Sequence, residues 1–461
     1  MQVFAIVLSL VLLTYVAYRG YSVIVFAPIC AMLATLLSGG HLLPTYTQIF
    51  LVKGLAFATS YFPVFLLGAL FGKVMESGGL ALAIADWIMH KLGAKATIIG
   101  VVLSTGILGY GGVSVFVIGF AVYPLGAALF KEADIPKRLL PGTLALGLFT
   151  FSMTCFPGTP QIQNIIPTKY FGTDSFAAPL LGTIAGLIII AVGVTYLEIR
   201  VRNAKAKGEG YGEGHINEPD GRADDHKMVN PALAAIPLVA VLVLNYFMTK
   251  AIKNWDPEMV SKFKGVTLAG VAPIWALIVS LVVGVALAII IGWKNIKTEK
   301  NLQAALNGGA SGSLLAIMNT SSEVGYGSVV SSLPGFAVVS NFLMGIFPSN
   351  PLVSEAITIN VLAGVTGSAS GGMSIALEAM GAHYLQAGVA AGISPEILHK
   401  IASLASGGFD SLPHNGAVIT LLTICGLTHK QSYRDIGVLT VALPFVTTAF
   451  LIIVMTIFGI K

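Results

Sequence analysis

The sequence predicts an all-helical polytopic membrane protein built from two related halves. Of its 461 residues, 55% are hydrophobic and only 10% are charged, and the mean hydropathy is +0.85. A soluble domain carries about 25% charged residues. Apolar stretches near the length that crosses a bilayer, together with shorter glycine-interrupted ones, predict about 10 to 13 spans. The longest stretches are 3–18, 21–37, 177–197, 231–247, 266–293 and 436–458.

The two halves are related by four landmarks that recur in the same order, 255 to 260 residues apart. The pairs are 71–75 with 326–330, 111–114 with 371–374, Pro136 with Pro395, and Pro157 with Pro413. This pattern predicts an internal duplication of roughly 200 to 250 residues. We expect a first transmembrane repeat at 1–197, a linker at 198–230 and a second repeat at 231–461. The spacing leaves open whether the repeats are inverted or parallel.

Each half contains a proline with polar neighbours inside an apolar segment. The first break covers residues 156–164 around Pro157, and the second covers residues 410–416 around Pro413. In hydrocarbon a broken helix exposes backbone polar groups, so it persists only where protein or a wet cavity surrounds it. Two breaks in corresponding positions of two halves indicate a transport site.

A glycine- and serine-rich segment precedes each break. These segments, 104–114 and 366–374, interrupt apolar runs and are predicted to be the tips of re-entrant hairpins. Glycine allows close approach of the backbone to a ligand, and the free N–H groups at a helix start can hold an anion. Close helix packing in the membrane is the alternative explanation for such small residues.

The predicted substrate site combines the hairpin tips with the breaks. Hydroxyl and amide side chains there can bind a hydroxylated or carboxylated solute without full charges, so we expect a small organic anion as substrate. The candidates in the first half are Ser104, Gly111, Gly112, Ser114, Thr159, Gln161 and Asn164. The candidates in the second half are Ser368, Ser370, Gly371, Gly372, Ser374, His414 and Asn415.

Three carboxylates in apolar surroundings are candidates for proton coupling: Asp410, Glu378 and Glu323. An ionisable group in lipid is costly and therefore a functional candidate, and burial can bring a carboxylate into the working pH range. Protonation would neutralise the loaded carrier. The alternative for Asp410 is a helix cap.

The charged segment 198–230 is predicted to be a flexible linker, and its basic first part places it on the cytoplasmic side. The net charge of +5 is explained by membrane topology and contact with anionic lipid, not by nucleic-acid binding. Three distant cysteines predict small buried side chains instead of disulfides. Because neither a Gly-x-Ser-x-Gly elbow nor a paired zinc-ligand motif occurs, we expect neither an enzyme nor a cofactor.

Three runs of the sequence resemble the gluconate:proton symporter family of bacterial permeases, and the likeness extends over nearly the whole chain. The runs are 71–78, 156–167 and 412–417. The resemblance implies a multi-pass carrier of the bacterial inner membrane that takes up gluconate or a related hydroxy acid, such as 3-hydroxybutyrate, with a proton. Kinship with the wider ion-transporter superfamily implies inverted repeats, hairpins that meet at mid-membrane, a homodimer and elevator-like movement.

A sodium-coupled dicarboxylate or citrate carrier is the main alternative. The second hairpin has Ser368-Ala369-Ser370-Gly371 where the sodium-coupled carriers have Ser-Asn-Thr signatures. This departure favours the proton. A potassium channel is also suggested by two Gly-Tyr-Gly runs, at 109–111 and 325–327. They occupy non-equivalent places in the two halves, which argues against a channel filter.

Overall fold

The computed structural model is helical throughout the residues it describes, with no strand among them. These residues are 2–19, 21–93, 96–113, 115–218, 229–263, 266–297, 299–345, 350–413 and 415–460. The predicted all-helical membrane fold is confirmed.

The helices of the first half vary from single turns to long rods. They are α1 Gln2–Tyr18, α2 Val23–Leu37, α3 Leu42–Pro44, α4 Leu51–Ser77, α5 Leu80–Leu92, α6 Thr97–Tyr110, α7 Val115–Glu132, α8 Leu140–Leu148, α9 Phe151–Thr154, α10 Ile166–Phe171 and α11 Pro179–Ala206. A π-helical segment, Thr45–Phe50, joins α3 to α4, and a 3₁₀ segment, Ile162–Asn164, leads towards α10.

The second half repeats much of this order. Its helices are α12 Pro231–Lys253, α13 Glu258–Ser261, α14 Leu268–Ile296, α15 Glu299–Ser332, α16 Phe336–Gly345, α17 Pro351–Thr366, α18 Ala369–Ala390, α19 Pro395–Ser406, α20 Gly416–Cys425, α21 His429–Gly437 and α22 Leu443–Phe458. Both halves contain the same series of elements: a long helix (α4 or α15), a helical hairpin (α6 and α7, or α17 and α18), a short helix before the break (α8 or α19) and a long final segment (α11, or α21 and α22).

Among the residues that the structure describes, five helical segments are long and apolar enough to cross a membrane, as judged by length and composition. They are Leu42–Ser77, Pro179–Ala206, Pro231–Lys253, Leu268–Ile296 and His429–Phe458. The first helices of the two hairpins are shorter. With 14 residues in α6 and 16 in α17, they reach only about 21 and 24 Å. A hydrocarbon core is about 30 Å thick, so these lengths suit hairpins that enter the membrane and turn back.

Capping side chains fix the helix starts around the second hairpin and the second break. Each accepts a hydrogen bond from a backbone N–H of the first turn. The caps are Asn350 before α17, Ser368 before α18, Ser394 before α19 and Asn415 before α20. A cap of this kind contributes about 1 kcal/mol. The start of α18 at the hairpin tip and the start of α20 after the break are therefore both fixed by residues next to them in the sequence.

Around the breaks, helices of each half pack against helices of the other half. In the first half α6 packs against α8, and in the second half α17 packs against α19. The segments that follow the breaks exchange partners, because α10 contacts α18 and α19, whereas α20 contacts α7 and α8. The long helices α4 and α15 also pack against each other. Each hairpin is therefore held by the segment that follows the other half's break.

The segment 198–230 differs from the predicted flexible linker in the part the structure describes. Its first residues continue α11, and the following ones are tied to the start of α8. The Lys137 ammonium lies 2.7 Å from Glu218 Oε1, and Arg138 donates two hydrogen bonds to Glu209, at 2.6 and 2.7 Å. These ion pairs fasten the connection to the first half.

Candidate functional site

The first break is bonded to the end of α6. Thr159 Oγ1 donates to the Tyr110 carbonyl at 3.1 Å, and Gln161 Nε2 donates to the Gly109 carbonyl at 2.7 Å. In return, the Tyr110 hydroxyl donates to the Pro157 carbonyl at 2.8 Å. The last carbonyls of a helix have no partner within the helix. Thr159 and Gln161 therefore join the first break to the first hairpin.

The glycines at the first hairpin tip are packed against protein. A Cβ on Gly111 would lie 2.3 Å from Leu238 Cδ2 of α12, and a Cβ on Gly112 would lie 2.6 Å from Pro160 Cγ. Gly112 also has a φ of +92°, which favours glycine. Their small size allows close packing of the tip, which is the alternative raised from the sequence.

The predicted residue Ser104 is buried between α5 and α6. Its hydroxyl donates to the Gly100 carbonyl at 2.8 Å and lies 3.5 Å from the Ala85 carbonyl. Ser114, the last candidate of this hairpin, lies outside the described residues.

Asn164 connects the first break to the second half of the chain. Its Nδ2 donates to the carbonyls of Thr159 and Ser175, at 3.2 and 2.7 Å. These bonds turn Oδ1 towards α19, where it accepts from the Lys400 ammonium at 3.1 Å and lies 3.4 Å from His399 Nε2. All three side chains are fully buried. A polar contact between the halves thus lies in the protein interior.

Two further bonds extend this contact. The Lys400 ammonium donates to the Cys155 carbonyl at 3.2 Å, and Ser403 Oγ donates to the Thr154 carbonyl at 3.0 Å. We call the set Thr154, Cys155, Asn164, His399, Lys400 and Ser403 the Asn164–Lys400 cluster. His399 and Lys400 were not predicted as site residues, although two ionisable residues in the apolar run 397–402 were a usable signal.

The second hairpin tip is joined to the second break by one amide. Asn415 Nδ2 donates to the Gly367 carbonyl at 2.8 Å, while Asn415 Oδ1 caps α20. Ser368 Oγ caps α18 and lies 3.4 Å from Ser370 Oγ. The structure therefore places Ser368, Ser370 and Asn415 close together at the second hairpin tip. His414 lies outside the described residues.

A buried carboxylate lies against the first turn of α18. Glu323 projects from α15 with 3% exposure, and a Cβ on Gly371 would lie 1.8 Å from its Oε2. That oxygen has no hydrogen-bond partner among the described residues, and neither has Ser374 Oγ nearby on α18. Gly372 packs against the backbone of α17, since a Cβ there would lie 2.1 Å from Ala363 N. Buried polar atoms without partners are rare and call for an explanation.

The three proposed coupling carboxylates have different surroundings. Asp410 is buried and accepts from Ser411 Oγ at 2.9 Å. Glu378 already has partners, because Lys53 Nζ lies 3.5 Å away and the Tyr170 hydroxyl donates at 3.0 Å. Glu323 has the fewest partners of the three.

The structure adds one carboxylate that was not predicted from the sequence. Glu355 of α17 is 0% exposed, and neither of its carboxylate oxygens has a hydrogen-bond partner among the described residues. Glu355 lies far along the chain from both proline breaks, so the pattern of breaks does not point to it. The usable signal is that an ionisable residue inside an apolar helix is a functional candidate.

Two solved transporter structures are similar in fold over almost the whole chain. The crystal structure of the YdaH transporter of Alcanivorax borkumensis matches with a TM-score of 0.63 and 13% identity, covering 95% of this chain and 98% of that one. The structure of MtrF of Neisseria gonorrhoeae, described within a class of antimetabolite efflux pumps, matches with a TM-score of 0.56 and 14% identity, covering 98% and 94%. At these identities the likeness establishes the fold alone.

The fold, with its paired helical hairpins and crossed breaks, together with a transporter relative that covers the whole chain, identifies a membrane transporter. Its relatives are transporters as well, in agreement with the prediction that the chain is not an enzyme. No model of a known protein family matches the chain. The uncharacterized transporter YxjC of Bacillus subtilis (strain 168) is 47% identical over 475 residues, which cover 100% of this chain and 99% of that protein. The chain belongs to the family of this transporter.

Proposed function

We propose that the protein is a secondary active transporter that carries a small organic hydroxy acid, of the gluconate or 3-hydroxybutyrate type, together with a proton. The observation that carries the proposal is the crossing of the two halves. Each break lies against its own hairpin and against the other half. Beside the second hairpin there are buried polar atoms for which the described part of the chain provides no hydrogen-bond partner. Discontinuous helices at such an interface hold the substrate in many secondary transporters.

The polar groups near the second hairpin suit a hydroxylated anion. Ser368, Ser370 and Asn415 offer hydroxyl and amide groups at the tip. Deeper in the hairpin, next to Gly408, Asn360 Oδ1 is buried and receives no hydrogen bond from any residue that the structure describes. A substrate hydroxyl could donate to that oxygen, and serine hydroxyls could donate to a carboxylate. This combination supports a hydroxy acid over a fully apolar solute.

The coupling proton is proposed to bind one of the three buried carboxylates, Glu323, Asp410 or Glu378. Glu323 is the leading candidate, because its Oε2 is buried beside the hairpin and has no hydrogen-bond partner among the described residues. A protonated carboxyl group can donate a hydrogen bond that an ionised one cannot. Protonation also removes a charge that would be costly to move with an anionic substrate.

The larger-scale features belong to the same proposal. The chain would consist of the repeats 1–197 and 231–461 joined by 198–230, would form a homodimer and would reside in the bacterial inner membrane. Transport would proceed by alternating access, with elevator-like movement of the hairpin-bearing helices. The resemblance to the gluconate:proton symporter family supports these features.

Uptake into proteoliposomes tests the substrate and the ion together. Gluconate, 3-hydroxybutyrate, lactate and citrate are offered in parallel under an imposed pH gradient and, separately, under a sodium gradient. We expect pH-driven accumulation of at least one of the three monocarboxylic hydroxy acids, gluconate, 3-hydroxybutyrate and lactate, and no response to sodium. Citrate accumulation driven by sodium would favour the alternative carrier class. Because MtrF of Neisseria gonorrhoeae is described within a class of efflux pumps, the same vesicles are also loaded with the acids to test export.

A further inference from the structure

Lys400 is a fully buried lysine that lacks a carboxylate partner. It lies in α19 with 0% exposure, and none of the described acidic residues forms an ion pair with it. Other lysines of the chain do have such partners, for example Lys137 with Glu218 and Lys73 with Glu76. A buried charge is costly unless it is compensated. The compensation for Lys400 must therefore come from neutral oxygens.

Those oxygens belong to the interrupted backbone of the first half. The ammonium donates to the Cys155 carbonyl, one residue beyond the end of α9, and to Asn164 Oδ1 at the end of the 3₁₀ segment. The Asn164 amide is held in place by its own two donated bonds. Carbonyl oxygens freed by unwound helices are the ligands that coordinate Na⁺ in secondary transporters. The site, which we call the oxygen cage, thus offers two neutral oxygens, the Cys155 carbonyl and Asn164 Oδ1, to one cation.

The oxygen cage is closed to substrate by α11. A Cβ on Gly182 would lie 2.1 Å from the Cys155 carbonyl oxygen and 3.1 Å from Lys400 Cε. The titratable groups that face the ammonium are the Cys155 thiol and the neighbouring His399, which is bonded to Thr173. Neither is a carboxylate. An ammonium so enclosed has no room to receive the carboxylate of a substrate directly.

We propose that the Lys400 ammonium occupies the place of a dehydrated monovalent cation such as Na⁺, so that this carrier works without sodium. The lysine supplies an internal ammonium group that bonds the first break to α19. The inference deepens the proposed function, on which it rests, by accounting for sodium independence. It predicts that removing the side chain opens a site for Na⁺ itself.

Thermal unfolding of the purified protein tests this directly. The variants are K400A, which leaves room for an ion, and K400M, which removes the charge but fills the volume. Each is compared in sodium chloride and in choline chloride at about 100 mM. We expect sodium to raise the midpoint of K400A by about 2 °C or more, because a ligand that binds only the folded state stabilises it. The wild type and K400M should show no difference between the salts.

The wild type, in which the ammonium fills the site, and K400M, in which an apolar side chain of similar volume fills it, are the two controls, and neither should respond to sodium. If K400A does not respond to sodium, or if the wild type does, the inference is overturned. If K400A cannot be purified, a sodium dependence of wild-type stability would still overturn the inference, since a filled site predicts none. This readout needs no substrate, so failure of the transport proposal would be seen separately, as absence of wild-type uptake.

Discussion

Replacing Gly371 by alanine should disable the site while leaving the fold intact. The new Cβ would lie 1.8 Å from Glu323 Oε2 and 2.2 Å from Cδ. Ordinary contact begins at 3.4 Å, so the oxygen must retreat by 3.4 − 1.8 = 1.6 Å. Alanine itself is favoured over glycine in a helix by about 0.5–1 kcal/mol. The carboxylate, as the end of a flexible side chain, will therefore move before the backbone does.

We expect the displaced carboxylate to lower proton-driven uptake by about tenfold or more, since a shift of about 1 Å at a working site has effects of that order or larger. The assay is initial-rate uptake into proteoliposomes under a pH gradient, with thermal unfolding measured on the same protein. G312A is the matched control in α15, because a Cβ there meets nothing within 4 Å. That variant should keep full activity.

The double variant G371A/E323D provides a rescue. Aspartate is shorter by one carbon–carbon bond, about 1.5 Å, which nearly equals the required retreat. Part of the lost uptake should return if the clash with Glu323 is the cause. If G371A retains wild-type uptake, or if it unfolds at a much lower temperature than G312A, the reasoning about this contact is refuted.

The remaining predictions concern the coupling carboxylates, the second break and the connecting segment. The three amide variants are E323Q, D410N and E378Q. At least one should lose pH-driven accumulation while keeping counterflow exchange, and retention of accumulation by all three would refute the coupling proposal. N415A should cost about 1 kcal/mol through its cap and reduce uptake more than T420A, a matched change on exposed α20 surface. The hydrogen bonds from Arg138 lower the pKa of Glu209 below 4.5. Their stabilisation is therefore present above that pH and lost as the pH falls through the lowered value, so limited proteolysis within 207–218 should accelerate only below about pH 4.5.

Much of the fold could be predicted because it depends on local signals. Hydropathy indicates a helical membrane protein, and the prolines at 157 and 413 lie where the helices are interrupted. Their positions at a tip and a break mark Ser368 and Asn415 as candidates, and in the structure Asn415 donates to the Gly367 carbonyl, next to Ser368, which caps α18. The repeated order of glycines and prolines also anticipated the repeated order of helices.

The rest depends on contacts between distant parts of the chain. Lys400 and Asn164 are 236 positions apart, and no local pattern shows that they meet. From the sequence, Gly111 and Gly112 are expected to bind an anion through their backbone. In the structure they pack against Leu238 and Pro160, which are distant or separate in sequence. The position of residues 207–218 likewise depends on ion pairs of Glu209 and Glu218 with Arg138 and Lys137, just before α8. A charged, glycine-rich composition does not indicate such pairs.

The central claim, proton-coupled transport of a hydroxy acid, is tested most directly by following the pH inside proteoliposomes that contain a trapped indicator. Hydroxy acid is added outside with no imposed ion gradient. We predict acidification of the interior that depends on the protein and falls sharply in G371A but not in G312A. Protein-dependent entry of the acid with no change in internal pH, or with an absolute requirement for sodium, would contradict the account.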